Sequence, residues 1–184
     1  MALEEYAYIL DYLPQGRSED KSYHKTPLAL AVGESELKLL ELIPKPNALI
    51  VVGERVYIGK NPEKRDKILS VRRRISYSDL TSAGVNELPF TLELIINQKE
   101  QLFLKFFNES QPINTRKHTL ELLPGLGNKT MWNILEERKK EPFKSFEDLT
   151  ERVKTLHNPQ KMIASRIIEE LQERYEKYKL FVAK

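Results

Sequence analysis

Cysteine is absent from the 184 residues. Disulfides and thiolate-held metals are therefore excluded, and a reducing compartment fits. Histidine is scarce: His24, His118 and His157 are scattered and show no ligand spacing, so no metal and no cofactor is expected. Glycine is also scarce, at 7 residues, and nothing forms the Gly-rich loop that cradles a triphosphate. No apolar run is long enough to span a bilayer. The N-terminus carries Glu4 and Glu5 where a secretory leader would be basic and then apolar. These absences point to a cytoplasmic protein without a membrane partner.

Charge of either sign is not in large excess, with a net of +3, but it is unevenly spread. Residues 1–59 hold 6 Lys and Arg against 9 Asp and Glu, whereas residues 60–74 hold 7 against 2. The basic segment runs from Lys60 through Lys64 to Arg72-Arg73-Arg74. It either tracks a phosphate backbone or forms a solvated charged loop with Glu63 and Asp66 as local partners. In an extended strand Arg72 and Arg74 share one face and Arg73 takes the other.

The length suits one large domain or two small ones. The first part reads as β. Strands are expected at Tyr6–Leu13, which ends at Pro14, and at Leu28–Val32, which stops at Gly33. Leu37–Ile43 is ambiguous between strand and short helix, and its length favours strand. Leu49–Val52 and Arg55–Ile58 flank Gly53-Glu54, a two-residue hairpin signal. Ile75–Tyr77 is a candidate last strand. Five or six short strands in this length suggest a small closed barrel of the oligonucleotide-binding (OB) or S1-like kind. On its first strand Tyr6, Tyr8, Leu10 and Tyr12 share a face. They read either as a base-stacking stripe, with Tyr57 and Tyr77 nearby, or as half-buried strand residues.

The second part reads as α. Pro89 suits a first helical turn, followed by apolar residues to Phe107. After a break at Asn108–Thr115 come helices at Arg116–Leu123 and Asn128–Lys140, another capped near Ser145, and a last one from about Pro159 to Tyr178. Between the first pair stands Pro124-Gly125-Leu126-Gly127-Asn128-Lys129. Gly125 and Gly127 allow a sharp turn and close approach of a ligand. Asn128 is a good N-cap. The unpaired first N–H groups of the next helix, with Lys129 beside them, favour an anion. Two apolar helices joined in this way look like a helix-hairpin-helix, a binder of nucleic-acid backbones. The bland alternative is an αα-hairpin that uses glycine only to turn.

Ile134-Leu135-Glu136-Glu137 recurs as Ile167-Ile168-Glu169-Glu170, at an offset of 33. The second copy has His157-Asn158-Pro159-Gln160 where the first has Pro124-Gly125-Leu126-Gly127. A second, degenerate hairpin is expected. Trp132 reads as core. His118 and Glu121 are close enough on a helix to meet. Glu170–Arg174 and Glu173–Lys177 read as exposed helical pairs beside Glu169 and Glu176. Asp148 invites comparison with a catalytic aspartate, but it also fits the first turn of a helix, and no catalytic activity is expected.

Four stretches carry a wider likeness: Arg74-Ile75-Ser76-Tyr77-Ser78-Asp79-Leu80-Thr81, Glu87-Leu88-Pro89, the run Arg116–Lys140, and Pro142-Phe143-Lys144-Ser145-Phe146-Glu147-Asp148-Leu149. Together they resemble the domain of unknown function 655 family (DUF655), mainly archaeal, over nearly the whole chain. That resemblance implies an S1- or OB-like barrel followed by helix-hairpin-helix repeats, and an RNA-binding role without an established activity. The expectation is an α+β protein. Residues 1–85 form the barrel, 86–112 a connecting helix, and 113–184 the helix-hairpin-helix domain. Its ligand is nucleic acid, RNA before DNA, held by Gly125, Leu126, Gly127, Asn128 and Lys129. Lys60, Lys64, Arg72 and Arg74 supply a second contact. The alternative is an adaptor bound to ribosomal or transcription proteins.

Overall fold

A computed structural model describes residues 4–173 and 178–183. The chain divides into two compact units, Met1–Thr91 with Glu170–Lys184, and Leu92–Glu169. The C-terminal stretch thus belongs to the sheet unit, not to the helical domain in which its sequence position suggested it.

The sheet unit holds five antiparallel strands: β1 (Tyr6–Leu13), β2 (Leu28–Gly33), β3 (Leu39–Pro44), β4 (Arg55–Tyr57) and β5 (Ile68–Arg74), in spatial order β4-β1-β2-β3-β5. Residues of all five strands meet in one apolar cluster, built from Ala7, Ile9, Ala29, Ala31, Leu40, Leu42, Val56 and Ile68, with Tyr12 against it. Both edges of the sheet reach this cluster, so the sheet is curled. Ala29 and Ala31 sit at its centre, where small side chains leave room for the bend. Register shifts between Ile9 and Asp11 in β1, and at two places along β3 and β5, sharpen the curl. The shift in β1 also breaks the expected tyrosine alternation. Tyr12 joins the cluster of Ala7 and Ile9, and Tyr8 is buried.

The sheet is a half-barrel, not the closed barrel expected. Leu49–Val52 makes no strand, because Asn47 takes a left-handed φ of 63° and the chain turns at Val52 and Gly53, where Glu54 N–H donates to Val51 O. Only three residues remain for β4. The gap between the edges is bridged by Arg65, whose guanidinium donates to the carbonyls of Ile58 and Gly59 just after β4 and of Leu69 in β5. Ile75–Tyr77 is not a strand either. Ile75 N–H ends the ladder on Leu39 O, and Tyr77–Asp79 closes a 3-10 turn with the Asp79 carboxylate on Ser76 N–H.

Two buried carboxylates organise this unit. Glu41 in β3 is 0 % exposed and takes hydrogen bonds from Arg17, Arg72 and Arg73. The bulge opposite Glu41 explains why Arg72 and Arg73 reach the same carboxylate. It overturns the simple alternation that would pair Arg72 with Arg74. Glu170 is also fully buried, and one of its oxygens accepts from the N–H groups of Leu180, Phe181 and Val182. It is a clamp on the C-terminal segment, not a residue of a solvated face. Its expected partner Arg174, and Glu176 and Lys177, lie outside the described residues.

The helices are α1 (Ser82–Gln98), α2 (Glu100–Glu109), α3 (Asn128–Lys140), α4 (Phe146–Arg152) and α5 (Pro159–Leu171). α1 starts well before Pro89 and carries it inside the helix, because Leu88, Leu92, Ile95 and Ile96 all need the same buried face. α5 stops at Leu171, where Glu173 takes a φ of 59° and turns the chain, well short of Tyr178. Arg116–Leu123 is not an α-helix. Residues 111–118 fold back on themselves, with Pro112 bridged to His118 and Ile113 N–H on Lys117 O, leaving room for only a 3-10 turn at Thr119–Leu122. In the helical unit Leu120, Leu123, Leu126, Ile134, Leu149, Val153, Leu156, Ile163 and Ile167 form the buried interior.

Candidate functional site

The turn between Leu123 and α3 is built as the glycine pattern requires, with one change of role. Gly125 has a φ of 84°, which favours glycine, and Leu126 N–H closes the turn on Leu123 O. The N-cap is Gly127, with Asn128 already the first helical residue. Gly127 brings no side chain to cap the helix, and no acidic residue stands in its first turn. The first-turn amides are thus left to solvent or to a ligand. A Cβ placed on Gly127 would meet nothing within 4 Å. Asn128 and Lys129 are exposed. Leu126, expected among the contact residues, is buried, and its N–H is taken by Leu123 O.

The 33-residue repeat is present in the backbone. Asn158 stands where Gly125 does and also has a positive φ, 48°. Leu123 N–H donates to Leu120 O in the first copy, and Leu156 N–H to Val153 O in the second. Ile134 and Ile167 are both fully buried. The difference lies in the amides. In the second copy Pro159 has no N–H, and Asn158 Oδ1 accepts from Lys161 N–H at 3.1 Å. One amide at the start of α5 is therefore capped by a side chain, whereas none at the start of α3 is.

Beside the open turn lies a cleft of about 900 Å³. Arg116, Lys117 and His118 line one side. Asn128, Trp132, Glu136 and Lys139 line the other, along one face of α3. Trp132 is 60 % exposed, contrary to its expected place in the core. Met131 and Ile134 supply the buried face of α3, and Trp132 falls in the polar row Asn128–Trp132–Glu136. That i, i+4 spacing was the signal in the sequence; the apolar neighbours Ile134 and Leu135 masked it.

His118 does meet Glu121, through its backbone: His118 N–H donates to the Glu121 carboxylate, and His118 Nδ1 accepts from Leu120 N–H. Burial, followed by the Arg138 charge, holds its imidazole below the ordinary histidine pKa. With Nδ1 accepting, the neutral ring carries its proton on Nε2, which is buried and has no partner among the described residues. Asp148 is also accounted for locally. Its N–H donates to Ser145 Oγ, and its carboxylate accepts from Lys144 N–H and Arg152, which hold its pKa below the ordinary range, the Lys144 amide most strongly.

The basic segment of the sheet unit is not drawn together. Lys60 lines one hollow with Gly59 and Arg65, Lys64 another with Tyr57 and Lys67, and Arg74 a third with Tyr77 and Lys179. Arg72 is engaged by Glu41, Lys67 by Glu54, and Arg74 donates to Ala183 O. The tyrosines there are also occupied. Arg55 sits 3.6 Å over the Tyr6 ring, and Tyr57 packs edge-on against Tyr6.

Among the described residues no helix is long and apolar enough to cross a membrane, and no group of three or more His, Asp or Glu side chains gathers where it would hold a metal ion.

Comparison with known proteins gives this arrangement a family. An uncharacterized protein of Methanocaldococcus jannaschii, MJ0038, is 47% identical over 180 residues, which span 97% of this chain and 80% of that protein. The crystal structure of Af1531 from Archaeoglobus fulgidus, described as a DUF655 protein, is 49% identical. It covers 98% of this chain and 100% of its own, with a TM-score of 0.90. The family described as protein of unknown function (DUF655) matches residues 3–183, and the chain belongs to it.

Proposed function

We propose that this protein binds nucleic acid, RNA in preference to DNA, by gripping the phosphate backbone at the start of α3, and that it does so without catalysis. One observation carries the reading. Of the two turns related by the 33-residue repeat, the one at Gly125–Lys129 places no side chain on its helix amides, while the one at Asn158–Lys161 places the Asn158 side chain on the Lys161 amide. An open helix start with a lysine beside it favours a phosphate. Exposed Arg116, Lys117 and Lys139 in the same unit add positive field. The backbone-equivalent turns and the paired buried leucines support a helix-hairpin-helix reading in which the first helix of the first repeat is reduced to a 3-10 turn. The curled five-stranded sheet supports an OB-like ancestry. The second contact expected from Lys60, Lys64, Arg72 and Arg74 has weaker support, since these side chains line separate hollows or are already paired.

The test is fluorescence-anisotropy binding to single-stranded RNA, duplex RNA and duplex DNA of matched length across a salt series. Gly127→Val is the discriminating variant, because its φ of −83° is open to any residue and a Cβ at this position has no protein atom within 4 Å. The expected result is salt-dependent binding that Gly127→Val weakens at least roughly tenfold. No binding at about 10 μM and low salt, where non-specific contacts are normally measurable, sinks the reading and turns the search to protein partners.

A further inference from the structure

Deepening that reading and resting on it, we propose that the cleft beside the hairpin holds one unpaired nucleotide, its base stacked on Trp132 and its phosphate among Arg116, Lys117 and Lys139. The volume of about 900 Å³ lies within the range of ~300–1,000 Å³ usual for small-ligand sites. Trp132 is the single tryptophan of the chain and is 60 % exposed on a helix whose other large apolar side chains are buried or half-buried. Here the exposed indole stands in a concave site, where its face is open to stacking.

Charge decides what covers it. Arg116, Lys117, Arg138 and Lys139 line the cleft against Glu121 and Glu136. Glu121 is already engaged by the His118 amide. The ends of Arg116, Lys117 and Lys139 carry no ion pair among the described residues. The cleft therefore selects a flat aromatic group bearing negative charge, which is a nucleotide. His118 supplies an independent sign of a ligand. It lines the cleft at 7 % exposure, and its Nε2–H has no acceptor among the described residues. A buried donor left unpaired is costly, and a turn of the ring toward the cleft would bring it to a base or ribose oxygen.

Continuity with the hairpin sets the form of the nucleic acid. Asn128, at the open start of α3, and Trp132 line the same cleft, about 6 Å apart along the helix axis at 1.5 Å per residue. One strand can thus place a phosphate on the amides and the neighbouring base on the indole. In a duplex both faces of a base are stacked and unavailable. The ligand is therefore a single strand, RNA under the function proposed above, or a base extruded from a helix.

The intact chain is titrated with single-stranded RNA of about 12 nucleotides, within the usual site sizes for single-strand binders. Matched duplex RNA and a polyglutamate peptide serve as comparisons. Trp132 emission and anisotropy are read together, with circular dichroism to verify the fold of each variant. The expected result is quenching by the single strand. Trp132→Ala should weaken single-strand binding about 5- to 150-fold, the equivalent of ~1–3 kcal/mol of stacking, while duplex affinity stays within about twofold. Trp132→Phe should restore part of the loss. Unquenched emission on binding RNA, an unchanged Trp132→Ala affinity, or quenching by polyglutamate alone overturns the proposal. Loss in Gly127→Val with none in Trp132→Ala refutes the cleft and leaves the hairpin. The reverse refutes the hairpin as the backbone grip and keeps the cleft. Absence of RNA binding by the folded wild type refutes both.

Discussion

Gly125 and Asn158, 33 residues apart in the chain, occupy equivalent turns and share a positive φ, yet only Asn158 caps the helix that follows it. The same left-handed position is therefore filled by two chemistries. Glycine relieves the strain and leaves amides open. Asparagine tolerates the strain and satisfies one amide with its own side chain.

Alanine at the two glycines of the first turn should behave differently. Gly125→Ala forces a Cβ onto a φ of 84° and should cost about 1–2 kcal/mol. Gly127→Ala, at a φ of −83° with open space around it, should cost less, below about 1 kcal/mol, the preference of an N-cap for glycine over alanine. Urea denaturation of both variants measures the contrast, and equal losses would contradict the assigned roles.

Asn158→Ala removes both the cap and the residue type that tolerates the left-handed region. We expect a loss of about 2 kcal/mol in chemical denaturation. Asn158→Gly, which keeps the backbone freedom but not the Oδ1–Lys161 bond, should lose less than about 1 kcal/mol.

Glu41→Gln should be among the most damaging single changes in the sheet unit. It leaves Arg17, Arg72 and Arg73 gathered around a neutral amide that itself has no solvent exposure. Breaking a buried pair costs ~3–5 kcal/mol. The half-exposed Arg72 and Arg73 can turn to water, so about 3 kcal/mol is expected from a denaturant midpoint shift.

Arg65→Lys keeps the charge but not the planar fork that spans the carbonyls of Ile58, Gly59 and Leu69. A loss of about 2 kcal/mol is expected. Amide exchange should rise first along β4 and β5. Uniform exchange across the sheet would show that the guanidinium does not hold the seam.

His118 makes stability depend on pH in a defined direction. Its folded pKa lies below the ordinary value of 6.5, so the unfolded chain binds the proton more readily. The contribution is fully present above pH 6.5 and is lost as pH falls below it toward the folded pKa. His118→Asn keeps an acceptor for Leu120 N–H but cannot titrate. Wild type should therefore lose stability relative to His118→Asn between pH 7 and pH 5.5, and parallel denaturation curves would contradict this.

Local signals determined much of this protein. Tyr6–Leu13 ends at Pro14, Leu28–Val32 at Gly33, α3 runs Asn128–Lys140, and Ser145 caps α4, all as the residue patterns indicate. Backbone punctuation and helical periodicity are short-range properties, so they can be read directly along the chain. The glycine turn and the 33-residue repeat were legible for the same reason.

What tertiary structure alone decided lies where distant groups compete. A bulge in β5 brings both Arg72 and Arg73 to Glu41, and alternation cannot foresee it because the extra residue is set by the partner strand. The sheet stays open because Arg65 replaces a ladder of strand bonds, a contact invisible to propensity. Pro89 lies inside α1 because burial of Leu88 and Leu92 outweighs one missing backbone bond. Trp132 faces outward because Met131 and Ile134 fill the interior first, and its companions Arg116, Lys117 and His118 reach it only after residues 111–118 fold back. The turn was local and therefore legible, whereas the cleft joins two segments that only the folded chain brings together.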